Sequence, residues 1–146
     1  MLCLFFAPKI LASQVSQVAG STPVAVVVTI PKVTEIKVNP YSTSSIREYI
    51  KKEFPDAPIM VDVASCESRF RQFKSDGSIY LGKENPLDTG VFQINQYYHL
   101  EESKKLGMDI FTLEGNVAFA RILYDRNGTR DWNWSKFMWS NGECDS

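Results

Sequence analysis

Histidine is nearly absent, with His99 alone in 146 residues, and the three cysteines, Cys3, Cys66 and Cys144, stand far apart. No Cys/His cluster has the spacing of a zinc site, so neither a metal nor another cofactor is expected. An excess of either charge is lacking too: 16 Lys and Arg face 17 Asp and Glu, for a formal net charge of -1. That balance offers no electropositive field for nucleic acid and no polybasic anchor for a membrane. No internal repeat is visible, and no apolar run is long enough to span a bilayer comfortably. What remains is ordinary globular usage, 44% hydrophobic and 23% charged, enough for one domain with a tail.

The two ends of the chain differ in character. Residues 1–7 are apolar, and Ile10, Leu11, Ala12 and Ser13 continue the run past Pro8 and Lys9. The stretch suits the apolar part of a secretory signal, although no basic n-region precedes it. Residues 1–20 are therefore read as a signal segment whose true start is left open, and the protein as secreted or held in the cell envelope. Residues 21–42 are rich in Ser, Thr, Val and Pro. Val24 to Ile30 is β-prone and Thr34 to Val38 alternates polar with apolar, but Pro23, Pro31 and Pro40 limit any strand to a short or edge one. This part reads as a linker or stalk, leaving 43–146 as the folded domain.

Helical signals begin near residue 43. Ser45 and Glu48 form a capping-box pattern, and Ile46, Tyr49, Ile50 and Phe54 follow helical spacing up to Pro55. Asp56 and Pro58 predict the start of a second helix, with Ile59, Val63, Cys66 and Phe70 on one face and Glu67 near its end. Asp76-Gly77 and Asn85-Pro86 are turn signals, and Ile79-Tyr80-Leu81 could supply a strand of a small hairpin. A helix is expected around Leu100 to Leu106, stopped by Gly107. Another runs from a Thr112 cap through Leu113, Val117, Ala120, Leu123 and Tyr124 to about Arg126, stopped by Asn127-Gly128. The tail carries Trp132, Trp134, Phe137 and Trp139, and its three tryptophans read as packing residues.

Two carboxylates suit glycoside chemistry, which needs a protonated acid and a second group to stabilise the sugar cation. Glu67 lies at a helix end among apolar neighbours, a setting that raises a carboxyl pKa. Asp88 enters the segment Asp88-Thr89-Gly90-Val91-Phe92-Gln93-Ile94-Asn95, a more solvated setting. Spacing alone makes this pair weak evidence. Together, however, Glu67-Ser68-Arg69-Phe70 and the Asp88 to Asn95 segment resemble the lysozyme superfamily. Glu-Ser-x-Phe followed by Gly-x-x-Gln-Ile is similar to soluble lytic transglycosylases. The fuller Asp-x-Gly-x-x-Gln-Ile-Asn is similar to animal-type lysozymes. Asn116, Ala120, Leu123 and Tyr124 resemble the third transglycosylase motif, although the family's tyrosine falls one residue before Tyr124 and its methionine is replaced by Phe92.

The resemblance implies a predominantly helical α+β domain of lysozyme-like fold, with a small β-hairpin beside the substrate groove. It implies a monomer acting on peptidoglycan glycan strands at the bond between N-acetylmuramic acid and N-acetylglucosamine. Glu67 matches the catalytic acid, and Asp88 the second carboxylate of animal-type lysozymes. Gln93 and Asn95 match positions near the sugar groove, and Tyr124 is the aromatic favoured for it. A lytic transglycosylase is the leading expectation. A hydrolytic lysozyme using both carboxylates and a non-catalytic wall-binding module are the alternatives. If the chain is exported, Cys66 and Cys144 could form a disulfide joining the catalytic helix to the tail; otherwise both are unpaired thiols. A Cys66–His99 hydrolase dyad lacks an orienting partner and is set aside.

Overall fold

The computed structural model describes residues 39–144. The signal segment expected over 1–20, and the linker up to residue 38 with its possible strands, lie outside the described residues. The described part is mainly helical with one small antiparallel sheet, the α+β class expected.

Helix α1 (Thr43–Glu53) begins three residues earlier than the capping box predicts. Ser42 is the cap, its hydroxyl accepting from the Ser45 amide at 3.1 Å, while Glu48 instead pairs with Lys51 at 2.7 Å. Ile46, Ile50 and Phe54 are buried as their spacing predicts, and the helix ends just before Pro55. Helix α2 (Ile59–Ser68) has no side-chain cap, contrary to the role expected of Asp56. Arg121 takes that carboxylate in a two-pronged pair of 2.6 and 2.8 Å. A fork of this kind is charge-assisted at both oxygens and competes well with a single amide. Met60, Val61, Val63 and Ala64 form the buried face of α2.

The sheet lies later in the chain than the hairpin expected at Ile79 to Leu81. Strand β1 (Asp88–Thr89) pairs with β2 (Ile94–Asn95), Asp88 opposite Asn95 and Thr89 opposite Ile94. Ile79 and Leu81 make only isolated bridges, to Phe73 and Thr89. The turn between β1 and β2 is held from inside by two buried amides. Gln72 Oε1 accepts from the Val91 amide at 2.9 Å, and Asn116 Oδ1 accepts from Phe92 at 3.0 Å. Asn116 Nδ2 donates to the Thr89 carbonyl at 2.9 Å. Gly90 has φ 73°, and a Cβ there would stand 2.5 Å from Gln72 Oε1 and 2.6 Å from Asn116 Nδ2. The glycine of the motif is thus required by the amides that satisfy the turn.

Helix α3 (Gln96–Lys105) starts earlier than expected because Asn95 caps it, accepting from Tyr97 at 3.0 Å and Tyr98 at 3.4 Å. Helix α4 (Leu113–Asn127) keeps its predicted cap, Thr112, and its predicted stop, Gly128. A 3₁₀ segment (Arg130–Ser135) and the short helix α5 (Lys136–Ser140) follow. Trp132 packs on Phe92 at 5.8 Å and donates its indole N–H to the Phe92 carbonyl at 2.9 Å. Trp139 is buried as well, and α5 packs on α2. A Cys66–Cys144 disulfide ties α2 to the end of the tail. Among the described residues, no helix is long and apolar enough to cross a membrane.

Candidate active site

Glu67 is the penultimate residue of α2, and the chain turns sharply just beyond it. Arg69 and Phe70 both adopt left-handed backbone, with φ 55° and 56°. Two such non-glycine residues in succession cost strain that the surroundings must offset. Ser68 is buried and fastens the turn: its hydroxyl donates to the Val91 carbonyl at 2.8 Å and accepts from the Arg71 amide at 3.0 Å. Phe70 is also buried, with the Arg47 guanidinium 5.1 Å from its ring centre. The end of α2 is therefore locked against the β1–β2 turn, which brings Glu67 and Asp88 to the same opening.

That opening is a cleft of two lobes, about 530 and 620 Å³, which share Glu67, Asn85, Asp88, Gln93 and Trp134 as lining. Each lobe falls in the range of small-molecule sites, and their shared walls make one continuous groove. The first lobe adds Arg69, Arg71, Tyr80 and Lys83. The second adds Asn95, Tyr98, His99 and Trp132. Glu67 and Asp88 stand where the lobes meet.

The two carboxyl groups have different surroundings. Glu67 is half-buried, and desolvation pushes its pKa above the ordinary carboxyl range. A hydrogen bond from the Ser135 hydroxyl opposes that rise, and the negative charge of Asp88 adds to it. Asp88 Oδ1 accepts from Asn95 Nδ2 at 2.7 Å and from Asn85 Nδ2 at 3.1 Å. Two amide donors on one oxygen suit an acceptor-only carboxylate and fix its orientation. The pair thus sets a carboxyl group whose pKa burial raises opposite one held by two amide donors.

Of the residues singled out from the sequence, Glu67, Asp88 and Gln93 line both lobes. Gln93 has φ 50° and donates from its amide to the Gly90 carbonyl at 2.7 Å. Asn95 lines the second lobe, but its side chain is already committed to Asp88 and to the start of α3. Tyr124 does not line the cleft. Its ring meets Phe54 edge-on at 6.3 Å, because α4 turns this position toward α1. Cys66 is in the disulfide, which removes the Cys–His dyad.

Other residues of the site escaped the sequence reading. Trp134 is 97% exposed on the cleft rim, although the tail tryptophans read as packing. The segment Asp131-Trp132-Asn133-Trp134-Ser135 held a usable signal, since polar residues flank each indole and one can point in while the other points out. Asn85 read only as a turn before Pro86. Ser135 reaches Glu67 across 68 residues of sequence, and no local pattern marks it. Among the described residues, no group of three or more His, Cys, Asp or Glu side chains could hold a metal ion. Compared with known proteins, the chain matches no family model, no curated protein and no solved structure.

Proposed function

We propose that the chain cleaves peptidoglycan glycan strands between N-acetylmuramic acid and N-acetylglucosamine, as a lytic transglycosylase with a lysozyme-like domain and Glu67 as its acid. One observation carries the reading: a carboxyl group whose pKa burial raises sits where two lobes of a continuous cleft meet. A polymeric sugar needs such a groove on both sides of the bond to be cut, with the acid at the middle. Glu67 gives its proton to the glycosidic oxygen as the bond to the anomeric carbon breaks. A hydroxyl of the same muramyl residue then attacks that carbon and returns its proton to the Glu67 carboxylate. The product carries an anhydro ring, and Glu67 is protonated again.

Asp88 favours a second reading. Its carboxylate shares the cleft with Glu67 and is oriented by two amides, as a group holding a sugar cation should be. Water would then complete a hydrolysis, as in a lysozyme. The Cys66–Cys144 disulfide supports export to an oxidising compartment, where peptidoglycan is met.

Glu67→Gln tests the proposal on purified walls. Clearing of a wall suspension should fall by about 10²–10⁴-fold, the usual contribution of a general acid, while binding to insoluble peptidoglycan persists. Undiminished clearing would overturn the role of Glu67. Binding without clearing by the unaltered protein would leave a wall-binding module. Asp88→Asn separates the two chemistries: unchanged yield of anhydro product means that Asp88 is not catalytic, whereas hydrolysed ends that vanish in the variant make it the second group of a hydrolysis.

A further inference from the structure

The tail reaches Glu67 in a way that the proposed chemistry does not require. Cys66 and Glu67 are consecutive on α2, and both are engaged by the C-terminal segment. Cys66 is bonded to Cys144, and Glu67 Oε1 accepts from the Ser135 hydroxyl. Ser135 Oγ also lies 3.2 Å from the Trp132 carbonyl. Trp132 is in turn buried and anchored by its indole to the Phe92 carbonyl, so that acceptor is held in place.

A serine hydroxyl has one proton and can also accept. A carbonyl only accepts, and so does an ionised carboxylate. When Glu67 is ionised, the Ser135 proton points to Glu67. When Glu67 is protonated, its own O–H can donate to Ser135 Oγ, and the serine proton turns to the Trp132 carbonyl. The Trp132 carbonyl also accepts from the Trp139 indole N–H at 3.2 Å, so it keeps a donor when the serine proton turns away, and only a hydroxyl rotation separates the two states.

We infer that Ser135 is a positioning residue for Glu67, a hydroxyl switch between Glu67 and the Trp132 carbonyl that holds the carboxyl in one place through both its protonation states. The inference rests on the proposed acid-then-base role of Glu67 and adds the group that makes the reversal possible without movement. Other titratable or charged groups line the same cleft, and of these Asp88 adds to the rise in the Glu67 pKa. They are Arg69 and Arg71 beyond α2, Lys83 and Glu84 on the following loop, Asp88 on β1, His99 on α3 and Asp131 on the 3₁₀ segment. None of them changes when Ser135 is replaced.

The test follows the Glu67 side-chain carboxyl carbon by NMR across pH in the full chain, in the unaltered protein and in Ser135→Ala and Ser135→Thr. This readout needs no turnover, so it stands apart from whether the protein cleaves walls. Loss of the hydroxyl removes a charge-assisted donor from the ionised form and only a weaker neutral acceptor from the protonated one. The midpoint should therefore move upward in Ser135→Ala and return in Ser135→Thr, which keeps the hydroxyl. On purified walls, clearing by Ser135→Ala should fall about 10-fold, with recovery in the threonine variant. Coincident titrations in the unaltered and alanine proteins would overturn the inference and leave the role of Glu67 untouched. An upward shift that threonine fails to reverse would also overturn it, since a packing change and not the hydroxyl would then be the cause.

Discussion

Glu67 holds its proton more tightly in the folded chain than in the unfolded one, because folding removes water from its carboxyl. Well below its ordinary value of 4.5, both states are protonated and the residue is neutral for stability. As pH rises through that value the unfolded chain ionises first, so the folded state loses stability until the raised folded value is passed. Glu67→Gln removes this loss and keeps an oxygen for the Ser135 hydroxyl. The variant should melt at a higher temperature than the unaltered protein at neutral pH, with the difference vanishing near pH 3. A difference that stays constant across that range, as measured by circular dichroism, would contradict the assigned burial. Stability surrendered at one residue is a common mark of a functional site. Asp88 is held in place by hydrogen bonds from Asn85 and Asn95.

At the scale of elements, the β1–β2 turn matters most, since it carries Asp88 and Gln93 to the cleft. Gly90→Ala would drive a methyl group into the Gln72 and Asn116 amides and force a left-handed backbone on alanine. We expect it to destabilise the fold by about 2–3 kcal/mol, read as a lower urea midpoint with an unchanged slope. A neutral result would mean that the two amides do not hold the turn. The same turn explains what the sequence could and could not disclose. Helix α4 was legible end to end because Thr112 and Asn127-Gly128 are strong local signals. The sheet was not, since its position is set by Gln72 and Asn116, far away in sequence. Nor was the start of α2, because Arg121 draws Asp56 away across 65 residues.

For the whole molecule, the cleft forms where α2, the β1–β2 hairpin and the C-terminal segment meet. Glu67, Asp88 and Gln93 were legible as a site because they fall in short motifs with a chemical rationale. Ser135 was not, because the tail's part depends on how it packs on α2 and on the disulfide that fastens it, and Trp134 was passed over although polar residues flank its indole. Tyr124 shows the converse: a motif-like position whose ring α4 turns onto Phe54. An exposed indole on the rim is the flat apolar face that the proposed glycan groove would need. The central claim is that this cleft cuts glycan strands through Glu67. Its most direct test is mass spectrometry of the soluble fragments released from purified peptidoglycan by the unaltered protein and by Glu67→Gln. The account predicts muropeptides with anhydro ends, one water lighter than hydrolysed ones, from the unaltered protein and almost none from the variant. No soluble muropeptides from the unaltered protein, or equal amounts from both, would contradict it.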